Sequence, residues 1–392
     1  MGLWRGIVRW LLATALLLLA GVQILLLVLV LVPLPRQPLL ATASVLATSW
    51  CTPVLALPAV LGLLGVLAGR RVRVRWTSWI ALTTSGAALF CALAPYALAW
   101  RTARAHGEGL SLAGQFDGLN YALTPDRERT LGYARVGRHR LKMDVWLPNR
   151  PAHRPRPAVV WVHGGGWESG HRSQTPRWNQ WLNDRGYAVF DVEYRLAPGA
   201  TQLQQIGDVK CAIGWVRRHA DRYGVDPSRI VLAGTSAGGN LALSAAYTAR
   251  DVRPRPSCRT ARDTSVRAVV SFYGPTDMAG LIASGADPAD PAVRRFMGGS
   301  FRSAPDSFRL GSPVQLVRAD VPPTLLLHGS HDRLVPVAQA RELNARLAAI
   351  GARHRYVEIP WADHAFDYNW GGWGTQIARP VLARFLAAHA GP

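Results

Sequence analysis

The chain has 392 residues, 49% of them hydrophobic, and a formal charge of +21 at pH 7. That length allows one large domain plus accessories. Lys142 and Lys210 are the only lysines, the other basic residues are arginines, and no basic run interleaves with aromatics, which argues against nucleic-acid binding.

Residues 1–106 contain no Asp or Glu. Trp10–Val32 is an almost unbroken apolar run ended by Pro33 and Pro35. Its many Leu, Ile and Val residues each favour insertion by roughly 0.3–0.6 kcal/mol. It is too long for the hydrophobic part of a signal peptide, and no small-residue cleavage site follows it. A second apolar stretch, 39–69, contains Pro53 and Pro58, which membrane helices tolerate. A third, 76–100, is bounded by tryptophans, as interfacial belts prefer. We expect three transmembrane helices, about 7–32, 39–69 and 76–100, within a membrane region spanning 1–106.

Arginines set the expected orientation. Arg5 and Arg9 precede the first span, Arg36 alone follows it, and Arg70, Arg71, Arg73 and Arg75 fill the next loop. Positive-inside reasoning then puts the N-terminus and the second loop in the cytoplasm. The chain reads as a multi-pass protein of the cell membrane with its C-terminal domain extracytoplasmic. Arg101 and Arg104, just past the third span, count mildly against this.

From Gly107 the composition changes, with Gly, Asp and Pro frequent. Residues 107–130 read as a linker. Over 131–392 strand and helix signals alternate, an α/β pattern with helices on both faces of a sheet. Strands are expected near Leu131–Val136, Arg140–Leu147, Ala158–Val162, Ala188–Val192, Ile230–Ala233, Ala268–Phe272, Thr324–Leu327 and Tyr356–Ile359. Helices are expected near Gln204–Tyr223, Gly238–Arg250, Pro336–Ile350 and Gln376–Ala390. Residues 276–313 break the alternation and read either as a lid over a site or as a plain surface loop.

Cysteine spacing offers no metal cluster, and none is expected. Cys211 and Cys258 would pair if their domain faces an oxidising compartment; otherwise they are unrelated, Cys211 being buried on a helix.

Ser236 stands in Gly234-Thr235-Ser236-Ala237-Gly238, between a short apolar run and an apolar helix. At such a turn the serine is strained outward and its neighbours must be small. A serine hydroxyl needs a base and a group to orient that base. Asp332 follows the strand at 325–327, and His364 follows the strand ending at Ile359. The order serine, aspartate, histidine is the one expected of an α/β-hydrolase. Asp363 and Asp277 are rival acids, and His163, His328 and His331 are rival bases. In Val162-His163-Gly164-Gly165-Gly166-Trp167 a strand runs into three glycines. Their amides, Gly165 and Gly166 first and Gly164 next, join that of Ala237 as expected oxyanion donors, each typically worth about 3 kcal/mol. Trp167, Trp178, Phe366 and Trp370 are candidates for walls of a substrate pocket, or ordinary core.

These stretches, with Glu193-Tyr194-Arg195-Leu196-Ala197-Pro198, Asp208–Val216 and His328–Pro336, resemble carboxylesterases of the hormone-sensitive-lipase and acetyl-esterase type within the α/β-hydrolase superfamily. The resemblance covers roughly 130–390. It implies an α/β-hydrolase fold with a mostly parallel eight-stranded sheet. It also implies a serine esterase acting on short- or medium-chain esters, with Ser236 as nucleophile, Asp332 as acid, His364 as base and no cofactor. Two departures stand out: Asp363-His364-Ala365-Phe366 replaces the usual HGF, and the membrane region lies outside the common pattern. Other readings stay open: a prolyl-oligopeptidase-like peptidase, an extracytoplasmic acyltransferase or deacetylase acting on lipid or glycan, and a vestigial hydrolase domain used for binding. The sequence leaves the oligomeric state undetermined.

Overall fold

The computed structural model describes residues 2–32, 43, 45, 47–71, 75–122, 129–149, 154–251, 253–260, 263–285 and 289–391. The chain forms two compact units, Met1–Gly118 with Pro360–Ile377, and Leu119–Ile359 with Ala378–Pro392.

In the first unit, α1 (Gly2–Leu31), α2 (Cys51–Arg71) and α3 (Arg75–Ala105) pack against one another. All three are long and apolar enough to cross a bilayer. Their seam is built from small residues: α3 buries Ala81, Ser85, Ala88, Ala92, Ala99 and Ala103. Small side chains let helix backbones approach where no hydrophobic drive exists between them. Two polar side chains in the seam find partners across it. The Gln23 amide donates to the Pro58 carbonyl at 2.7 Å and to Ser85 Oγ at 3.0 Å. Thr52 donates to the Ala92 carbonyl at 3.0 Å. Leu18, Leu57 and Phe90 face outward, as lipid contact requires. Much of the second expected span before residue 47 lies outside the described residues.

The second unit is built on an eight-stranded sheet: β1 (Thr130–Val136), β2 (His139–Trp146), β3 (Arg156–Val162), β4 (Ala188–Val192), β5 (Val225–Thr235), β6 (Ala268–Phe272), β7 (Thr324–Gly329) and β8 (His354–Ile359). The spatial order is β1-β2-β4-β3-β5-β6-β7-β8. β1 and β2 are antiparallel, β2 runs antiparallel to β4, and the remaining pairs are parallel. Strands covered on both faces read as unbroken apolar runs rather than alternating ones. Accordingly Val159, Val160, Trp161 and Val162 are all buried. All eight expected strands form; β4 and β6 keep the expected bounds, β3, β7 and β8 are two residues longer, and β5 extends well beyond its apolar run.

The covering helices are α4 (Pro176–Asn183), α5 (Gln202–Arg218), α6 (Ala237–Tyr247), α7 (Met278–Ala283), α8 (Ala289–Met297), α9 (Pro305–Gly311), α10 (Ala338–Ala349) and the part of α11 (Trp373–Ala390) from Ala378 on, its first residues being counted in the first unit. The segment 276–313 is therefore three short helices, α7 to α9, rather than a plain loop. Gly285 follows α7, Gly298 and Gly299 follow α8, and Pro305 opens α9. α4 was not anticipated; Pro176 opens it, a position where proline is favoured.

Two motifs are tied together here. Arg195 makes a bidentate pair with buried Asp208 of α5, Nε to Oδ2 and Nη2 to Oδ1, both 2.8 Å. A guanidinium matches a carboxylate in this fork geometry. Lys210, two residues on, is buried and donates to the carbonyls of Thr248 and Pro254. Beside it Cys211 and Cys258 form a disulfide, Cα atoms 5.6 Å apart.

Candidate active site

β3, β5 and β7 run parallel, so their C-terminal ends share one edge of the sheet. In open α/β sheets that edge, where strand order reverses, holds ligands. Here the reversal lies between β3 and its neighbours β4 and β5.

Ser236 directly follows β5 and caps α6 with φ 52° and ψ −120°. A non-glycine residue at positive φ is strained, and such strain clusters at functional sites. Its amide is held by the Phe272 carbonyl at 2.9 Å, and its own carbonyl accepts from Asn240 at 3.1 Å. Gly238 shows why small residues flank it: a Cβ there would fall on the carbonyl oxygens of Val162 and His163. The end of β3 thus packs directly on the first turn of α6.

That packing sets the glycine run beside the serine. Val162 is in register with Gly234. A Cβ on Gly164 would lie 3.1 Å from the Thr235 carbonyl oxygen and 3.3 Å from Ser236 Cβ. Gly165 and Gly166 have φ 116° and 59°. Among the described residues their amides donate to no acceptor, while the Gly165 carbonyl accepts from Glu168 and Ser169. Two unpaired N–H groups in a half-buried loop, next to the amide end of α6, suit a developing negative charge.

Trp167 (φ 64°) closes this loop and is pinned on two sides. Its carbonyl accepts from the Ala197 amide at 2.9 Å and from Gln205 Nε2 at 3.1 Å. Its ring stacks on Phe296 of α8. Next to it, Glu168 forms a two-point ion pair with Arg295, also on α8. Sequence reasoning missed Phe296 and Arg295, which lie far from the motif and carry no signature of their own.

The rival histidine His163 has a structural position. Its Nδ1 lies 2.7 Å from the Gly164 carbonyl, so Nδ1 carries the proton, and its ring stacks on Tyr194. Burial lowers its pKa from 6.5 to about 4, which leaves it neutral near pH 7.

Asp332 follows β7. Its Oδ1 accepts from the amides of Leu334 at 3.0 Å and Val335 at 2.7 Å. Its Oδ2 lies 3.2 Å from His328 Nε2, which is also 2.8 Å from the Val335 carbonyl. Nε2 therefore donates, and His328 braces Asp332. Each of the two rival acids has a backbone partner. Asp277 caps α7 through Ala279 at 3.1 Å, and Asp363 Oδ1 accepts from the backbone of His364 at 2.7 Å.

His364 belongs to the first unit, on the segment that leaves β8, and is buried. Ala365, with φ 54°, turns the chain after it. Phe366 and Trp370 are also buried in this unit. Trp178 is fully enclosed, within 6.1 Å of Trp161, Trp181 and Phe272 by ring centroids. Among the described residues no cluster of His, Cys, Asp or Glu has metal-binding geometry.

Comparison with known proteins fits this geometry. Residues 143–347 match the family described as BD-FAE. The chain is 36% identical over 235 residues to "Esterase LipC" of Mycobacterium tuberculosis, covering 57% of each chain. It is 36% identical over 241 residues to "Probable carboxylic ester hydrolase LipM" of the same organism, covering 60% of this chain and 56% of that one. The matched part thus spans under three fifths of these relatives. Among solved structures, the apo form of Thermogutta terrifontis esterase 2 superposes with a TM-score of 0.57 at 26% identity, covering 68% of this chain and 97% of that one.

Proposed function

The chain belongs to the BD-FAE family, and on that footing we propose that it is a membrane-anchored serine esterase with Ser236 as nucleophile, His364 as base and Asp332 as the orienting acid. The observation that carries this reading is the strained Ser236 turn set against the Gly164–Gly166 loop. Esterase relatives in sequence and in structure support it.

The reaction is acyl transfer in two steps. His364 takes the Ser236 proton as Oγ attacks the ester carbonyl, forming the C–O bond. The amides of Gly165, Gly166 and Ala237 hold the oxyanion, with Gly164 shaping their approach. Collapse breaks the bond to the alcohol, which leaves with the proton from His364. Water then repeats the sequence on the acyl-enzyme and releases the acid. Asp332 stays ionised and keeps the imidazole in the productive tautomer. Trp167, Phe366 and Trp370 are the proposed aromatic surroundings of the substrate, which is a short- to medium-chain ester, while Trp178, enclosed among Trp161, Trp181 and Phe272, is ordinary core.

On this reading the catalytic domain faces the outside of the cell. The arginine loops favour that orientation, and the Cys211–Cys258 disulfide adds to it, since such bonds persist in oxidising compartments.

The test is hydrolysis of p-nitrophenyl esters from acetate to decanoate by the full chain in detergent, beside a proline-containing peptide amide. Ester turnover that disappears in Ser236→Ala is expected. Peptide cleavage with no ester preference would point instead to a peptidase, and loss of the acyl group to an added alcohol rather than water to a transferase.

A further inference from the structure

The stretch that reads as a linker, immediately after the third membrane-length helix, is anchored rather than loose. Tyr96 of α3 donates to the Leu110 carbonyl at 3.1 Å. The next residue, Ser111, makes a two-way pair with Gln376: its amide donates to Oε1 at 2.7 Å, and its carbonyl accepts from Nε2 at 2.9 Å. Trp370 donates its amide to the Gly118 carbonyl at 3.1 Å. A Cβ on Gly371 would fall on the Gly114 carbonyl oxygen. A second contact comes from the residues just before α2, where the Ser49 carbonyl accepts from Asn369 Nδ2 at 3.0 Å.

The partner of this strap is a stiff block, 366–376. Asn369 and Thr375 are fully buried. The Asn369 carbonyl accepts from Thr375 Oγ1 at 2.8 Å and from the Gly372 amide at 3.0 Å. Gln376 also donates to the Gly371 carbonyl. The block grips the segment before it: Trp373 Nε1 donates to the Pro360 carbonyl at 3.1 Å, and a Cβ on Gly374 would lie 2.7 Å from Phe366 Cδ2. Residues 360–366, with His364 among them, are thus held at both ends. All of these contacts lie within the first unit.

We propose that the chain leaving the third membrane-length helix is a positioning element of the active site: residues 110–118 clamp the 369–376 block and thereby set the place of His364. This rests on the reading of His364 as the base. The membrane region then serves catalysis as well as anchoring, and Gln376 and Asn369 are positioning residues. Leu112 and Phe116 stand exposed on the strap, apolar groups suited to a lipid interface, so the assay belongs in a bilayer.

The experiment uses the full chain in phospholipid nanodiscs with p-nitrophenyl butyrate. Active sites are counted with a fluorophosphonate, and thermal midpoints are recorded. Gln376→Ala removes three hydrogen bonds, and kcat per titrated site should fall about tenfold with KM within about twofold. Asn369→Asp keeps the oxygen that accepts from Gly371 but loses the donor to Ser49; it should lower kcat per titrated site a few-fold, with a lower thermal midpoint because the new carboxylate is buried. Wild-type kcat per titrated site in both variants, with Ser236→Ala inactive, overturns the clamp and leaves the serine mechanism standing. Activity persisting in Ser236→Ala overturns both together.

Discussion

Trp167 lies nearly parallel to Phe296, ring centroids 4.4 Å apart and planes 10° from parallel. The first follows the glycine loop and the second is on α8, over a hundred residues later. With the Glu168–Arg295 pair, this makes the 276–313 insertion a brace for the loop that carries the proposed oxyanion donors. Phe296→Leu keeps an apolar side chain but loses the stack. We expect kcat to fall roughly five- to tenfold, as loosened donors meet the oxyanion less well. Steady-state kinetics on p-nitrophenyl butyrate check this; an unchanged kcat with altered chain-length preference would make the insertion a pocket wall alone.

Gly238 admits no side chain. Gly238→Ala would drive a methyl group into the ends of β3. Activity should drop by at least about a hundredfold, because displacing the serine turn or the donor loop removes a main source of transition-state stabilisation. Fluorophosphonate labelling with circular dichroism separates a misplaced serine from an unfolded domain.

The interior sets a pH dependence. Asp191 is wholly buried opposite Asp144, and burial raises its pKa from 3.8 to about 8 despite bonds from Asn179 and the Ser173 backbone. The folded state therefore keeps a proton that the unfolded chain has lost, and stability falls as pH rises toward 8. His163, lowered to about 4, acts with the opposite sign between pH 4 and 6.5, and there the two slopes offset. Between pH 6.5 and 8 only the Asp191 slope remains, worth at most about 2 kcal/mol. Melting temperatures of Asp191→Asn should lose that decline; a wild-type slope in the variant would assign it elsewhere.

The Cys211–Cys258 disulfide closes a loop of sequence separation 47. Breaking such a cross-link costs about 2–4 kcal/mol, largely by freeing the unfolded chain. The Cys211→Ser, Cys258→Ser double variant should melt several degrees lower, and a reducing agent should shift the wild-type protein alone. Equal shifts in both would show that the bond does not form in solution.

Orientation has its own test. With Arg5 and Arg9 before the first span and four arginines before the third, a C-terminal alkaline phosphatase fusion should be active and a green fluorescent protein fusion dark. The reverse pair of results would place the domain inside.

What the chain declares locally is considerable. Apolar runs with no polar face announce three membrane-length helices, because hydropathy is a property of the residues themselves. Alternating strand and helix signals announce the sheet, and the Ser236 turn is visible because its glycines are demanded by backbone contact. The insertion at 276–313 was ambiguous, since short helices buried by contacts elsewhere have weak local periodicity. His328 could be read as a base; only folding shows its Nε2 aimed at Asp332. The stretch after Gly107 looked like a tether, since small and polar residues are the composition of a loop whether or not it is pinned. Tertiary structure alone decided that Ser111 meets Gln376 and Trp167 meets Phe296, because pairings across 265 and 129 residues arise from how elements pack, and no local pattern encodes them.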